Sequence, residues 1–354
     1  MGFCDKNTKN EIEAVMSRIC IKDAFAVPAP VRSTLTDPAQ ILMDEQKIRM
    51  LSLIIGSEAF KMSRYELFEA FVKNLPAMSG SAAAELFCTE IASLYGEECL
   101  EDIKDPTRLW KRLSEAMDFA HPEFRERLDA VMRFEGLDAV KLFSSKKRGS
   151  YKEIVSAELS KMDNSAEFAA LDISSLDFRK TDDFHASEDC KKYLSGDDDA
   201  LHGVLSGALY PICARLRAKE KTLLLSIGEN YAAAERMIKY FLEREIMPNT
   251  VIFARGAAAR AAAEHFSGVY KASRGEIKIG AGILYYEGDT SRDIKNRLFD
   301  IAAVYPLSEV LVGGVMSEKP LISARHTLLK KGVAEALCEL CEDENVRFDI
   351  AENI

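Results

Sequence analysis

The sequence has little of what several common classes of protein require. Only five histidines occur among 354 residues, and the eight cysteines show no framework spacing, which disfavours a histidine-rich metal site and a disulfide scaffold. No apolar run approaches the roughly 20 residues that a membrane span needs. Acidic residues outnumber basic ones by 57 to 47, for a net charge of -10. A broad surface for nucleic acid or for an acidic membrane is therefore not expected.

The opening segment, MGFCDKNTKNEIEAVMSRIC, lacks the apolar core and the small-residue cleavage site of a secretory signal. Together with the scattered cysteines, this predicts a soluble, cytoplasmic protein. Cys338 and Cys341 form a CxxC, but they lie one turn apart in a helical pattern, and no second CxxC or histidine pair accompanies them. We interpret them as packing residues rather than as metal or redox ligands.

Short, continuous apolar runs recur along the chain. The first strand candidate is Ile19 to Val27, and further runs begin near Leu137, Phe168, Thr222, Asn249, Glu276 and Glu309. Runs that are apolar on both faces are typical of buried parallel strands, and helical segments separate most of them. This alternation predicts a parallel α/β sheet, closed as a barrel or open. An eighth strand either lies between Asp177 and Asp199 or is missing.

The segment from Pro38 to about Arg133 has a different character, because its apolar residues recur at helical spacing of three and four. It predicts a large helical insertion after the first strand. We therefore expect two units, a barrel formed by residues 1–37 and 134–354 and a helical insertion subdomain formed by residues 38–133.

In a parallel barrel the chemistry lies at the carboxyl ends of the strands. The first strand ends in Ala24, Phe25, Ala26 and Val27, none of which binds a metal. None of the histidines closes one of the apolar runs; they are His121, His185, His202, His265 and His326. Neither a histidine-based metal site nor any other cofactor is expected.

Five blocks of sequence, in the same order, resemble uronate isomerase, a family of the amidohydrolase superfamily. They are ICIKDAFAV, TLLLSIGEN, MPNTVIFA, GEIKIGAGILYYEGD and VLVGGVMSEKPLISARHTLLKKGVAEALCEL. The resemblance implies a TIM-like (β/α) barrel, distorted or missing a strand. It also implies the family reaction, which converts glucuronate to fructuronate and galacturonate to tagaturonate.

The resemblance fails at the positions that hold the family's metal. The opening aspartate is retained as Asp23, but the ligand positions are occupied by Phe25, Val27, Ser226 and either Met316 or Ser317. The family's tryptophan pair corresponds to Ile283 and Leu284, and an arginine to Lys319, whereas Arg325 and His326 are retained. The resemblance therefore implies a lost or strongly altered activity.

Uronate isomerisation needs a base, a group that polarises the carbonyl, and a cation for the carboxylate. The catalytic candidates are Glu287 (with Asp289 as the alternative base) and the hydroxyl donors Tyr285 and Tyr286. The substrate-binding candidates are Lys319, Arg325, His326, Ser226 and Asp23.

Three hypotheses remain open. The chain is a uronate isomerase-like protein that binds a sugar acid without the family reaction, an enzyme of altered, metal-independent chemistry, or a non-catalytic structural or oligomeric partner on the same barrel. The expected partners are a small anionic sugar or sugar acid and further copies of the chain, without nucleic acid or membrane.

Overall fold

The computed structural model describes residues 24–26, 37–117, 137–143, 149–163, 168–269, 277–281, 289–306, 310–312, 314–316 and 322–342. Their strands are β1 (Ala24–Ala26), β2 (Leu137–Lys141), β3 (Phe168–Asp172), β4 (Thr222–Gly228), β5 (Thr250–Ala254), β6 (Ile277–Ala281), β7 (Leu311–Val312) and β8 (Gly314–Met316). All observed pairings between neighbouring strands are parallel.

The described residues between β1 and β2 form five α-helices: α1 (Pro38–Leu42), α2 (Glu45–Ile55), α3 (Arg64–Asn74), α4 (Ala82–Tyr95) and α5 (Pro106–Ala116). The others are α6 (Tyr151–Asp163), α7 (Asp183–Leu194), α8 (Ala200–Ala218), α9 (Tyr231–Glu243), α10 (Ala257–Val269), α11 (Ser291–Ala302) and α12 (Ile322–Glu342). Among the described residues, no helix combines the length and the apolarity needed to cross a membrane.

The strand order closes the sheet into a barrel. The sheet runs β7, β6, β5, β4, β3, β2, β1, β8, so its two ends are β7 and β8. Only position 313 separates these two segments, and they therefore form one interrupted strand that meets β6 on one side and β1 on the other. The predicted TIM-like (β/α) barrel is confirmed.

The barrel has an outer core between the strands and the helices. Side chains alternate between the two faces of a strand, and in β4 Leu223, Leu225 and Ile227 belong to the large apolar cluster that includes residues of the surrounding helices. The intervening residues, Leu224 and Ser226, are equally buried but lie outside that cluster. They therefore face the barrel interior.

The eighth strand does not lie between Asp177 and Asp199. That stretch contains α7, whose first turn is capped by the Asp182 carboxylate, which accepts a hydrogen bond from the His185 backbone N–H. Ala186 and Cys190 are the buried residues of this helix, which packs against α8. The acidic composition conceals a helix with only a narrow apolar face.

The helices between β1 and β2 have their own apolar core. Its largest fully buried side chains include Phe68, Phe71, Phe87 and Ile91. The helices predicted for this segment are therefore present within residues 38–117. The division of the chain into two units at residues 37 and 134 stays a prediction.

A buried charge cluster lies inside this helical core. The Lys47 ammonium donates to Asp44 Oδ2 at 2.8 Å and to Glu90 Oε2 at 2.7 Å. The Lys47 and Glu90 side chains are 0% exposed, and Asp44 is almost equally buried. Because Asp44 also caps α2 by accepting from the Lys47 backbone N–H, the cluster ties the start of α2 to the middle of α4.

One carboxylate joins the insertion to the barrel. Glu85 of α4 accepts hydrogen bonds from the Ser291 backbone N–H at 3.1 Å and the Ser291 hydroxyl at 2.7 Å. Lys331 of α12 lies 3.1 Å from the same carboxylate. A carboxylate is favourable at this place because the first N–H groups of α11 lack partners within their own helix.

The ring of Phe253 leaves no space for a side chain at Gly280. These residues are register partners on β6 and β5, and a Cβ added to Gly280 would lie 2.3 Å from Phe253 Cε1. We expect Gly280→Ala to lower the free energy of unfolding by about 1–3 kcal/mol, because the buried ring must shift. Urea unfolding followed by circular dichroism measures the loss.

The control for this substitution is the same change in a Phe253→Leu background. The smaller side chain removes the clash, so Gly280→Ala should then cost much less than it does beside phenylalanine. An equal loss in both backgrounds would show that the ring contact is not its cause.

Candidate functional site

The described residues that follow β4 and β5 lie at one edge of the sheet, where the carboxyl ends of parallel strands meet. Glu229 and Asn230 follow β4, and Arg255 and Gly256 follow β5. The Arg255 backbone N–H donates to the Gly228 carbonyl at 2.7 Å, which fixes the two turns side by side. These two turns form part of the barrel mouth.

Asn230 fixes the turn after β4. Its side-chain amide donates to the carbonyls of Ile173 at 3.2 Å and Leu176 at 2.8 Å, in the loop after β3. Its side-chain oxygen accepts from the Ala233 backbone N–H and so caps α9. One amide therefore connects the ends of two neighbouring strands to the start of a helix, and it holds this edge rigid.

Ser226 lies in the barrel interior close to the carboxyl end of β4. It is 0% exposed, and its register partners are Asp172 on β3 and Phe253 on β5. Its hydroxyl oxygen has no hydrogen-bond partner among the residues that the structure describes. Because a buried hydroxyl without a partner costs free energy, this oxygen is a candidate contact for a ligand hydroxyl or a water.

A group of three charged side chains lies next to the turn after β5. Asp289 Oδ1 accepts from Arg255 Nε at 3.2 Å and from Arg255 Nη2 at 2.8 Å, while Asp289 Oδ2 accepts from Arg297 Nη2 at 2.7 Å. The Asp289 and Arg297 side chains are 5% and 4% exposed, and Arg255 is 28% exposed. Both carboxylate oxygens are engaged, so Asp289 anchors the arginines and is poorly placed to act as the alternative base.

These side chains form part of the wall of an open cavity of about 380 Å³. Its other lining residues are Glu229, Gly256, Asp293, Asn296 and Asp300. Counting the charged lining groups gives four carboxylates against two guanidiniums, a net charge of -2. This negative balance disfavours an anionic group of a ligand in the cavity. It suits hydroxyl groups, which both donate and accept hydrogen bonds.

The structure describes only part of the predicted site. Ser226 is placed in the interior, and Phe25 and Met316 are placed in β1 and β8 by their backbones. Arg325 and His326 lie in the first turns of α12, but their side chains are outside the described part of the structure. The remaining candidates lie outside the described residues: Asp23, Val27, Tyr285, Tyr286, Glu287, Ser317 and Lys319.

Sequence reasoning missed Arg255 and Arg297. Arg255 had a usable signal, because it directly follows the apolar run that becomes β5. Arg297 had none, since its neighbours in the sequence indicate only an amphipathic helix. Its role depends on Asp289, which lies in the turn before α11, eight residues earlier in the sequence.

The described residues do not fit a transition metal at the strand ends. Ser226, the interior polar residue near the end of β4, has a neutral hydroxyl, which is a poor ligand for a transition metal. Within the described ranges, no group of three or more histidine, cysteine or carboxylate side chains is placed to hold a metal ion.

No protein-family model matches the sequence, and no curated protein sequence matches it. Two solved structures share its fold over nearly the whole chain. The uronate isomerase of Thermotoga maritima superposes with a TM-score of 0.67 at 12% identity, covering 98% of this chain and 94% of its own. The glucuronate isomerase of Caulobacter crescentus superposes with a TM-score of 0.67 at 11% identity, covering 99% and 92%.

This chain has the uronate isomerase fold. The resemblance inferred from five sequence blocks is thereby confirmed at the level of the fold.

Proposed function

We propose that this protein is a divergent member of the uronate isomerase family that binds a small sugar acid at the barrel mouth and has lost the metal-assisted isomerisation. The observation that carries the proposal is Ser226. It occupies a ligand position of the family, it is fully buried, and its hydroxyl faces the barrel interior with no described partner.

The chemistry of the remaining groups supports binding more than turnover. An open-chain sugar acid presents many hydroxyls and one carboxylate. Ser226 offers one hydroxyl to the interior, and the partly exposed Arg255 offers further N–H donors at the edge. For the carboxylate we propose Lys319 and Arg325, with Asp23 and His326 as further contacts, and for residual chemistry Glu287, Tyr285 and Tyr286.

The principal test is an isomerase assay. Purified protein, with and without added Zn²⁺ or Mn²⁺, is incubated with glucuronate or galacturonate, and products are followed by NMR. We expect no fructuronate or tagaturonate, because loss of even one group that stabilises developing charge costs about a hundredfold in rate, and here several positions are replaced together. Product formation that disappears in Glu287→Gln would contradict the proposal and reveal a replacement mechanism.

Binding is tested separately by thermal shift. A ligand that binds only the native state raises the melting temperature, by an amount corresponding to about 2.7 kcal/mol at a hundred times its Kd. We expect a shift with glucuronate or galacturonate, a smaller shift in Ser226→Ala, and none with the uncharged alcohol glucitol. Equal shifts with all three compounds, or none at all, would count against a sugar-acid site.

One observation favours the second candidate function, a non-catalytic partner protein. Phe253 lies in the interior beside Ser226, and its ring fills the space above Gly280. An interior filled by an aromatic ring leaves less room for a ligand. If the sugar acids fail to bind while the purified protein forms a defined oligomer in solution, this candidate is preferred.

A further inference from the structure

A second, larger cavity lies between the helical insertion and the barrel. Its volume is about 800 Å³, within the usual range of ligand sites. One wall comes from α3, α4 and the segment before α5, and the other comes from α11 and α12. We call it the interface groove. It is distinct from the 380 Å³ cavity at the barrel mouth, because the two cavities have no lining residue in common, although both reach the first turn of α11.

The insertion wall of the interface groove is largely apolar. Val72, Leu75, Pro76 and Ile103 line it, and the half-buried thiol of Cys88 lies among them. Burial and the nearby Glu85 carboxylate raise the pKa of this thiol, so it stays protonated at neutral pH. Such a wall gains free energy by covering apolar surface, at about 25 cal/mol per Å².

Positive charges surround this apolar wall. Lys73 and Lys331 are engaged with Glu69 and Glu85. Lys104 on the insertion wall and Arg292 on the barrel wall also line the groove, and neither has an ion-pair or hydrogen-bond partner among the described residues.

The charge of the groove is opposite to that of the protein. Its lining contains four basic side chains and two acidic ones, a net charge of +2 in a chain with a net charge of -10. A local excess of positive charge beside an apolar wall attracts a ligand that is anionic at one end.

We propose that the interface groove binds a small organic anion with an apolar body, of the medium-chain carboxylate class. The anionic head lies between Lys104 and Arg292, and the apolar body covers the wall formed by Leu75, Pro76 and Ile103. One cation on each wall suits a single head group better than the spaced carboxylates of an acidic peptide. Because the ligand contacts both units, it holds the insertion against the barrel.

The test is calorimetric titration of the full chain with octanoate. We expect one saturable site, and a Kd at least about tenfold weaker in Lys104→Ala and in Arg292→Ala, since each removes a charge-assisted contact. Both residues are exposed, so neither change should disturb folding. The matched control is Lys111→Ala, an exposed lysine of α5 that pairs with Glu115 away from the groove, and it should bind as the parent does.

Two further probes separate the contributions. Octylammonium has the same chain with the opposite charge, and acetate has the same head without the chain; neither should bind. Octanoate should also protect Cys88 from iodoacetamide, slowing its alkylation about tenfold at ten times Kd, as measured by peptide mass spectrometry.

The proposal is overturned if octanoate gives no saturable binding, if Lys104→Ala and Arg292→Ala bind it as tightly as the parent, or if octylammonium binds equally well. Binding that leaves the alkylation rate of Cys88 unchanged would place the ligand elsewhere and would also overturn it.

Discussion

Replacing Lys47 by methionine is expected to lower the free energy of unfolding of the helical insertion by about 3–5 kcal/mol. The ammonium is the cation shared by two buried carboxylates, those of Asp44 and Glu90. Methionine has a similar volume, so the cavity stays filled, but two negative charges then lie in a low-dielectric interior without the ammonium between them. Removing one member of such a cluster is far more damaging than its net contribution to stability suggests.

The single tryptophan makes this loss measurable within the insertion. Trp110 of α5 lies with its ring centroid 5.0 Å from that of Tyr65 and 5.0 Å from that of Phe68. Its fluorescence in a urea titration therefore reports on the core that contains Lys47. The matched control is Lys73→Met, which breaks an exposed pair with Glu69 and should cost less than about 1 kcal/mol. Similar losses in both variants would show that the buried cluster has no special role.

The second large effect is expected for Asp289→Ala in the barrel. The substitution leaves the guanidiniums of Arg255 and Arg297 without their shared carboxylate, and Arg297 is 4% exposed. Removing one partner of a buried ion pair costs about 3–5 kcal/mol. The loss should be evident in urea unfolding followed by far-ultraviolet circular dichroism, which reports on the whole chain.

Two further variants test the cause of that loss. Asp289→Asn keeps the oxygen acceptor but not the charge, so it should fall between the parent and alanine. Asp300→Ala removes a carboxylate from the same cavity that makes no ion pair among the described residues, and it should change stability by less than about 0.5 kcal/mol. An Asp289→Ala protein as stable as Asp300→Ala would show that the arginines are stabilised without Asp289.

The strands best predicted from the sequence are those buried on both faces. The apolar runs that begin near Thr222 and Asn249 correspond to β4 (Thr222–Gly228) and β5 (Thr250–Ala254). Their apolar character comes from the helices outside and the filled interior inside, and a single sequence contains that pattern in full. The helices of the insertion were also predictable, because the residues that form their core lie close together in the sequence.

The helix α7 was less predictable because its packing depends on distant small residues. A Cβ on Gly207 of α8 would lie 2.5 Å from Ala186 Cβ, and one on Gly203 would lie 1.9 Å from Asp189 Oδ2. These glycines allow α7 to approach α8 closely enough to bury its narrow apolar face. An acidic stretch with few apolar residues does not reveal such a partner.

The place of Ser226 near the carboxyl end of β4 was predictable, whereas the arginine group was not. The position of Ser226 followed from a resemblance between strands, and strands keep their register. The contact between Arg255 and Asp289 joins residues 34 positions apart across a loop, and no pattern in one sequence marks such a pair. Charged partners brought together by the fold are visible only in the structure.

The closing strand of the barrel affects how the chain folds while it is being synthesised. β1 receives its second neighbour only when Gly314–Met316 has been synthesised, about 290 residues later. At 5–20 residues per second, the nascent β1 waits roughly 15–60 s with at least one edge unpaired. Such an edge can recruit a strand from another chain. During that interval the insertion helices, whose described core lies within residues 39–117, can fold beside it.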